Sequence, residues 1–135
     1  MPAIPSAAEL LGAARALLPR AMAPYSGYRV GAALEDSAGE IHPGVNVESV
    51  TYGLTLCAER NALFGALARG AREFRRLAVV SASEHPVRLC GACRQVLLEY
   101  APELLVVLER PGGPPEELPI RDFLPRPFTR FEPAP

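Results

Sequence analysis

The chain contains no lysine and no tryptophan, and it has only three cysteines. All 14 of its basic residues are arginines, and with 15 acidic residues they give a formal net charge of -1. So small a charge provides no basic surface of the kind that binds nucleic acid, so we expect no nucleic-acid partner. The composition, 49% hydrophobic and 21% charged, is typical of a globular protein. A length of 135 residues favours one domain spanning 1–135.

We also expect no targeting or membrane-spanning segment. Residues 1–12 contain no basic stretch followed by an apolar run, which argues against a secretory signal. No segment approaches the roughly 20 apolar residues that a membrane-spanning helix needs. We therefore expect a cytoplasmic protein without a membrane partner.

Apolar periodicity, together with glycine and proline positions, predicts an alternation of helices and strands. Ser6 and Glu9 have the spacing of a capping box, which predicts a helix that Pro19 and Pro24 bring to an end. The other predictions are strands at 28–34, 40–47, 77–82 and 104–108, a hairpin turn at 36–39, helices at 55–68, 90–100 and 120–124, and a Pro-rich irregular tail at 125–135. This order predicts an α/β sandwich with a mixed sheet.

The three cysteines stand at the starts of two predicted helices, Cys57 on one and the pair Cys90 and Cys93 on the other. Because their number is odd, they cannot all pair within one chain, which disfavours a disulfide framework. Free N–H groups and the helix dipole at a helix start favour thiolates. Three thiolates would hold zinc and leave its fourth position for water, as in catalytic zinc sites. Spacing alone leaves a redox pair at Cys90 and Cys93, or a core Cys57, equally open.

Other polar residues accompany these cysteines. Glu59 lies on the first turn after Cys57, where a carboxylate could reach over the helix end and move a proton beside a metal. Taken alone, it fits equally well as a favourable acid at a helix start. His42 is interpreted as a surface residue, and Arg29 and Arg94 as isolated surface charges.

The two cysteine segments together resemble the paired motif of the short-chain cytidine deaminases. The first reads Cys57-Ala58-Glu59-Arg60, and the second reads Cys90-Gly91-Ala92-Cys93-Arg94-Gln95-Val96. The resemblance covers nearly the whole chain, from about residue 7 to residue 131. It implies a three-layer α/β/α sandwich with a roughly five-stranded mixed sheet, and one Zn²⁺ per chain held by the three cysteines. It also implies hydrolytic deamination of cytidine and deoxycytidine in pyrimidine salvage, with Glu59 as the catalytic proton carrier and Arg60 bonded to the ligating thiolates.

The same resemblance implies a set of substrate-binding residues. Tyr28 would stack near the pyrimidine, and Ala58 would offer its backbone N–H to the base. Asn46 and Glu48 would bind the 3′-hydroxyl of the sugar, which argues for a nucleoside substrate over a free base. The absence of a basic cluster argues against a nucleotide phosphate.

Short-chain members of this family are homotetramers with shared active sites, and the resemblance implies the same here. Phe128, which follows Leu124-Pro125, would enter the site of a neighbouring subunit, and Tyr52 would lie at a subunit contact. One position departs from the family pattern: Leu89 precedes Cys90, where the family usually has proline. Since leucine restores a backbone N–H and frees φ, we expect the loop entering Cys90 to differ in shape or rigidity.

Two alternative functions are also compatible with the sequence. The first is a deaminase of the same fold that acts on another aminopyrimidine, such as a nucleoside antibiotic of the blasticidin type. The second is a non-catalytic zinc or redox-responsive binding protein that uses Cys90 and Cys93 as a dithiol. The second alternative leaves Glu59, Asn46 and Glu48 without a role.

Overall fold

The computed structural model describes residues 4–131, in which helices and strands alternate. Their bounds are α1 Ala7–Arg15, β1 Val30–Asp36, β2 Ile41–Val45, α2 Ala58–Ala68, β3 Phe74–Ser81, α3 Gly91–Tyr100, β4 Leu105–Leu108 and β5 Glu116–Pro119. Short 3₁₀ helices cover Leu18–Arg20, Tyr52–Leu54 and Ile120–Phe123. Within residues 4–131, no helix has the length and apolar character needed to cross a membrane.

The five strands form one mixed sheet in the order β2-β1-β3-β4-β5. β1 pairs antiparallel with both β2 and β3, and β4 pairs antiparallel with β5. β3 and β4 are parallel, and α3 is the crossover between them, since parallel neighbours cannot be joined by a tight turn. The predicted mixed sheet is confirmed.

Helices cover both faces of this sheet, because successive residues of a strand point to opposite sides. On β1, Ala32 and Leu34 belong to the larger hydrophobic core, which also contains buried residues of α2 and α3. Ala33, between them, packs instead with buried residues of α1. The result is the predicted three-layer α/β/α sandwich, with α2 and α3 on the same side.

Several element boundaries differ from the predicted ones. The capping box of Ser6 and Glu9 is present, but α1 ends at Arg15, four residues before Pro19. Strands β1 and β2 each begin later than predicted, at Val30 and Ile41. α2 begins at Ala58 and not at residue 55, because Leu56 pairs with Val47 in an antiparallel bridge and Cys57 is the extended N-cap.

The C-terminal part of the fold was the least predictable. Strand β5 was not predicted from the residue pattern, since Glu116–Pro119 is short, partly charged and ends in proline, as edge strands often do. The described tail residues 125–131 contain no helix or strand. The last part of the predicted irregular tail, 132–135, lies outside the described residues.

Gly44 allows β2 to lie directly against the first turns of α2. A Cβ at this position would be 2.2 Å from the carbonyl oxygen of Ala58 and 2.6 Å from the nitrogen of Ala62. Beyond β2, Val47 and Leu56 exchange two backbone hydrogen bonds of 3.0 Å. The segment that follows β2 is therefore fixed beside the start of α2.

Candidate active site

Three cysteine sulfurs meet where α2 and α3 begin. Cys57 is the N-cap of α2, Cys90 is the N-cap of α3, and both have extended backbone conformations. Cys93 is the third residue of α3, and a side chain at this position lies beside the N-cap side chain. The Sγ atoms of Cys57 and Cys90 are 3.7 Å apart, and those of Cys90 and Cys93 are 3.4 Å apart. All three sulfurs lie within 4.8 Å of one another.

These sulfurs fit a zinc ion. Tetrahedral zinc with Zn–S bonds of about 2.3 Å separates two ligand sulfurs by about 3.8 Å. All three cysteines are free thiols, so each is available as a ligand. Three protein ligands leave one coordination position open, which distinguishes a catalytic zinc site from a closed structural one. The predicted cage of Cys57, Cys90 and Cys93 is therefore positioned to bind zinc.

Arg60 places a positive charge against this cage. Its Nη2 donates a hydrogen bond of 3.4 Å to Sγ of Cys57. Hydrogen bonds from the Cys93 thiol and then from Arg60 lower the pKa of Cys57 to about 5, against the opposing effect of burial. The proton shared with the Cys57 sulfur raises the pKa of Cys93. Because three thiolates outweigh the charge of Zn²⁺ by one, the guanidinium also offsets the net charge of the loaded cage.

Glu59 is buried in the first turn of α2, with 4% of its surface exposed. Burial, and after it the charge of the Cys57 thiolate, raises the pKa of Glu59 to about 7. Glu59 and Cys93 affect each other's ionisation, so the carboxyl does lie at the sulfurs although it is two residues after Cys57. A carboxyl with a pKa near neutrality can both accept and donate a proton during turnover.

Asn46 lies just beyond β2 and is buried. Its Oδ1 accepts a hydrogen bond from the N–H of Val30 at 2.8 Å, and its Nδ2 donates one to the carbonyl of Tyr28 at 2.7 Å. A primary amide has a second lone pair and a second N–H, so capacity for a ligand remains. Asn46 therefore fixes the entry into β1 and keeps polar groups for a further partner.

Glu48 is held by the loop that precedes β1. Its carboxylate accepts hydrogen bonds of 3.0 Å from the backbone N–H groups of Tyr25 and Ser26, and another from the Ser26 hydroxyl. The bonds from Ser26 are the main cause of a lowered pKa at Glu48. Glu48, Tyr25 and Ser26 line a cavity of about 330 Å³ together with Ser49, Tyr52 and Thr55. The partner role of Ser26 was missed by the sequence analysis, since a serine in a turn gives no signal of its partner.

The remaining predicted substrate residues differ in how much of their surface is exposed. Tyr28 is 45% exposed and Phe128 is 58% exposed. Ala58 is buried as the first residue of α2, where a backbone N–H has no partner inside the helix. The carbonyl of Phe128 accepts a hydrogen bond of 2.6 Å from Nε2 of Gln95.

The interpretation of His42 as a surface residue was wrong. It lies in β2 and is 4% exposed. Its Nε2 is 2.9 Å from Oδ2 of Asp36, and its Nδ1 is 3.2 Å from Nη2 of Arg69. Since an arginine only donates, Nδ1 is the acceptor and Nε2 carries the proton that Asp36 accepts. Both ring nitrogens are occupied, so His42 joins the β1–β2 hairpin to the C-terminal end of α2.

The interpretation of Arg94 as an isolated surface charge was also wrong. The side chain is half-buried, and its Nε donates to the carbonyl of Leu89 at 2.6 Å. Its Nη1 donates to the carbonyl of Phe123 at 2.9 Å, and the guanidinium lies 5.4 Å from the centre of the Phe123 ring. Leu89 is 2% exposed and packs in the larger core. The signal that sequence analysis could have used is the position of Arg94 on the helical turn that carries Cys93.

Comparison with known proteins agrees with this geometry. Residues 6–109 match the family described as cytidine and deoxycytidylate deaminase zinc-binding region. A cytidine deaminase of Halalkalibacterium halodurans is 44% identical over 110 residues, which cover 81% of this chain and 83% of that protein. The crystal structure of a cytidine deaminase from Burkholderia pseudomallei has a TM-score of 0.86 and 45% identity, and the match covers 92% of this chain and 100% of that one.

A relative with a different named substrate is also found. A blasticidin-S deaminase of Bacillus cereus is 31% identical over 114 residues, which cover 76% of this chain and 79% of that protein. The match to the family extends over most of the chain and includes all three cysteines and Glu59. This chain is therefore a member of the zinc-binding family of cytidine and deoxycytidylate deaminases.

Proposed function

We propose that the chain is a hydrolase that catalyses the zinc-dependent deamination of cytidine and deoxycytidine to uridine and deoxyuridine, with release of ammonia. The observation that carries the proposal is a buried carboxyl, Glu59, with a raised pKa beside a cage of three cysteines. The names of the relatives at 44% and 45% identity support cytidine as the substrate. Pyrimidine salvage in the cytoplasm is the proposed physiological role.

In this proposal each residue of the site has a separate role in the reaction. Cys57, Cys90 and Cys93 hold one zinc ion, which when bound supplies a Lewis acid that activates water. Glu59 accepts a proton from the attacking water and passes it to N3 of cytosine, which makes C4 electrophilic. The water oxygen bonds to C4, and Glu59 then carries the remaining proton of that oxygen to the amino group, so that the C4–N bond breaks, ammonia leaves and a C4 carbonyl forms. Arg60 offsets the excess negative charge of the thiolates throughout.

The proposed contacts to the nucleoside come from groups that the fold already orients. Ala58 offers its unpartnered backbone N–H to the base, and the exposed ring of Tyr28 stacks on it. Asn46 uses its remaining amide capacity on the sugar 3′-hydroxyl. Glu48 is ionised and held by Tyr25 and Ser26, so it also accepts from that hydroxyl. A fixed carboxylate there would repel a phosphate group on that 3′ oxygen.

We also propose that residues 1–135 form one domain that assembles into a homotetramer with shared sites. Val47, Val50, Tyr52 and Leu54 are apolar and exposed at 44%, 74%, 80% and 72%. Exposed apolar side chains that cluster in one segment are typical of a contact surface. Val47 lies between Asn46 and Glu48 in the chain, and the other three residues follow shortly after. A subunit contact on this segment would therefore lie beside the nucleoside. Phe128 would enter such a site from a neighbouring subunit.

The deciding experiment measures ammonia release from cytidine by purified protein and the zinc content of the same sample. We expect turnover with one zinc per chain, and loss of turnover when a chelator removes the metal. Zinc without ammonia release would contradict the proposed substrate. If the protein contains no zinc and releases no ammonia, the redox alternative is favoured. A reversible disulfide between Cys90 and Cys93 would support that alternative.

The relative that is named for blasticidin S supports a second candidate substrate. Cytidine and blasticidin S are compared at equal concentration with the same preparation. Faster turnover of cytidine is expected, because Glu48 and Asn46 are arranged for a sugar hydroxyl. Faster turnover of the antibiotic would contradict cytidine as the preferred substrate, but the reaction would still be a zinc-dependent deamination.

A further inference from the structure

Arg94 joins two segments of the chain that serve the site in different ways. One is the loop that leads into Cys90, and the other is the C-terminal segment that carries Phe128. The guanidinium donates to Leu89 in the first segment and to Phe123 in the second. Since the five donors of a guanidinium have a fixed planar arrangement, binding both carbonyls also sets the distance between the two segments.

The bond to Leu89 acts on the metal ligand itself. The Leu89 carbonyl belongs to the peptide group whose nitrogen is that of Cys90, and a peptide group is planar. Holding that oxygen at 2.6 Å from Nε of Arg94 therefore fixes the plane from which the Cys90 side chain starts. Arg94 itself is anchored, because its N–H bonds to the carbonyl of Cys90 in the first turn of α3. The N-cap residue is thus held from both of its peptide groups.

The bond to Phe123 acts on the segment that leads to Phe128. The Phe123 ring lies under the guanidinium, which adds a cation–π contact to the hydrogen bond. The next residue of α3, Gln95, binds the carbonyl of Phe128 at 2.6 Å. Two consecutive residues that follow Cys93 therefore hold both ends of residues 123–128.

This arrangement also accounts for the leucine before Cys90. Leu89 lacks the fixed φ that proline would provide. Its side chain is 2% exposed in the larger core, and its carbonyl is bound by Arg94. Burial on one side and a charged hydrogen bond on the other restrain the same peptide group.

We propose that Arg94 is a positioning residue for the deamination, which orients Cys90 in the cage and the segment that presents Phe128. The inference rests on the proposed function. Side chains that hold metal ligands in place typically change metal affinity or activity by about 10–100-fold when they are removed. We expect Arg94→Ala to release zinc to a chelator about tenfold faster and to lower kcat by a similar factor.

The experiment uses the full chain and compares wild type, Arg94→Ala, Arg94→Lys and the control Arg88→Ala. Arg88 is exposed in the same loop, and its side chain forms no hydrogen bond or ion pair within residues 4–131. Cytidine kinetics, the rate of zinc release and the thermal midpoint are measured for each. Lysine should restore little, because an ammonium does not reproduce the planar fork. Added guanidinium ion should restore part of the activity of Arg94→Ala and of no other variant.

Each outcome separates the inference from the proposed function. Wild-type protein that releases no ammonia from cytidine contradicts the proposed function, and the zinc-release rates still test the hold on Cys90. Active wild type with unchanged kcat and zinc release in Arg94→Ala overturns the inference. A lower thermal midpoint with unchanged zinc release and no rescue by guanidinium also overturns it, because a merely structural role predicts that combination.

Discussion

The first turns of α2 and α3 have the same backbone arrangement, but they carry side chains of different chemistry. Each begins with a cysteine N-cap in an extended conformation, Cys57 or Cys90. The third helical position then bonds to the cysteine at the N-cap, but it is Arg60 in α2 and Cys93 in α3. One turn therefore contributes one ligand and a counter-charge, whereas the other contributes two ligands. The spacing between the N-cap and the third helical residue is the same in both helices. Spacing alone therefore does not show which turn carries the counter-charge and which carries the second ligand.

Burial separates the two turns further. Ala58 and Glu59 are buried in α2, whereas Gly91 and Ala92 are exposed at the same positions of α3. The raised pKa of Glu59 follows from that burial. Since the first turn of α3 contains no carboxyl group, only the turn of α2 can supply the proton carrier.

The largest effect is expected from Glu59→Gln. Glutamine keeps the shape of the side chain and removes the proton carrier, and positioned acid–base groups contribute about 10²–10⁴-fold to rate. We expect kcat to fall by that range while zinc content stays at one per chain. The control is Glu99→Gln, an exposed acid on α3, which should keep wild-type turnover. Near-normal kcat in Glu59→Gln would show that the turn of α2 does not carry the proton.

Gly44→Ala tests whether α2 depends on its close contact with β2. The added methyl group would lie 2.2 Å from the Ala58 carbonyl, so backbone must move. We expect destabilisation of about 1–3 kcal/mol or more, together with weaker zinc retention, as measured by urea unfolding and metal analysis. Gly91→Ala is the matched variant at the start of α3, where nothing lies within 4 Å of the added carbon. Equal stability losses in the two variants would contradict the contrast between the helices.

Arg60→Ala removes the counter-charge of the α2 turn. We expect a loss of about 10–100-fold in zinc affinity, since the pKa of Cys57 would rise without its donor. Competition with a chromogenic chelator measures the affinity, and Arg60→Lys should lie between the variant and wild type. Unchanged affinity and unchanged turnover in Arg60→Ala would mean that the helix starts alone balance the thiolates.

The smallest effect is expected at the other end of α2, where Asp36 bonds to His42. Burial acts to raise the pKa of Asp36, but the hydrogen bonds from His42 and from the backbone of Glu40 and Ala38 leave it lowered. A lowered carboxyl pKa stabilises the fold above the unfolded value of about 3.9 and loses that effect as pH falls through the folded value. Asp36→Asn should therefore cost about 1 kcal/mol at neutral pH and progressively less below about pH 4. A difference from wild type that does not change with pH would contradict this assignment.

Much of the fold was predictable because apolar periodicity reports which face of an element is buried. The capping box at Ser6, the strands in 30–45 and the helix after Cys90 follow from local spacing. β5 did not, since an edge strand that ends in Pro119 is stabilised by its pairing with β4 and not by its own pattern. His42 and Arg94 were misplaced for a related reason. The residue pattern does not show that Arg94 will bond to the carbonyl of Phe123 or that His42 will bond to Arg69, because these partners lie 29 and 27 residues away in the chain.

By itself, the sequence determined which chemistry is available: three thiols at two helix starts, an acid beside one of them, and a polar pair that follows a strand. Those features depend on residue type and on short-range spacing, which the printed chain contains. Only the tertiary structure decided that Cys57 meets Cys90 across 33 residues, that Glu59 is buried enough to hold a proton near neutral pH, and that Arg94 holds two segments at once. The physical reason is that distances, burial and pKa values depend on which elements pack together, and packing brings together residues that are far apart in the chain.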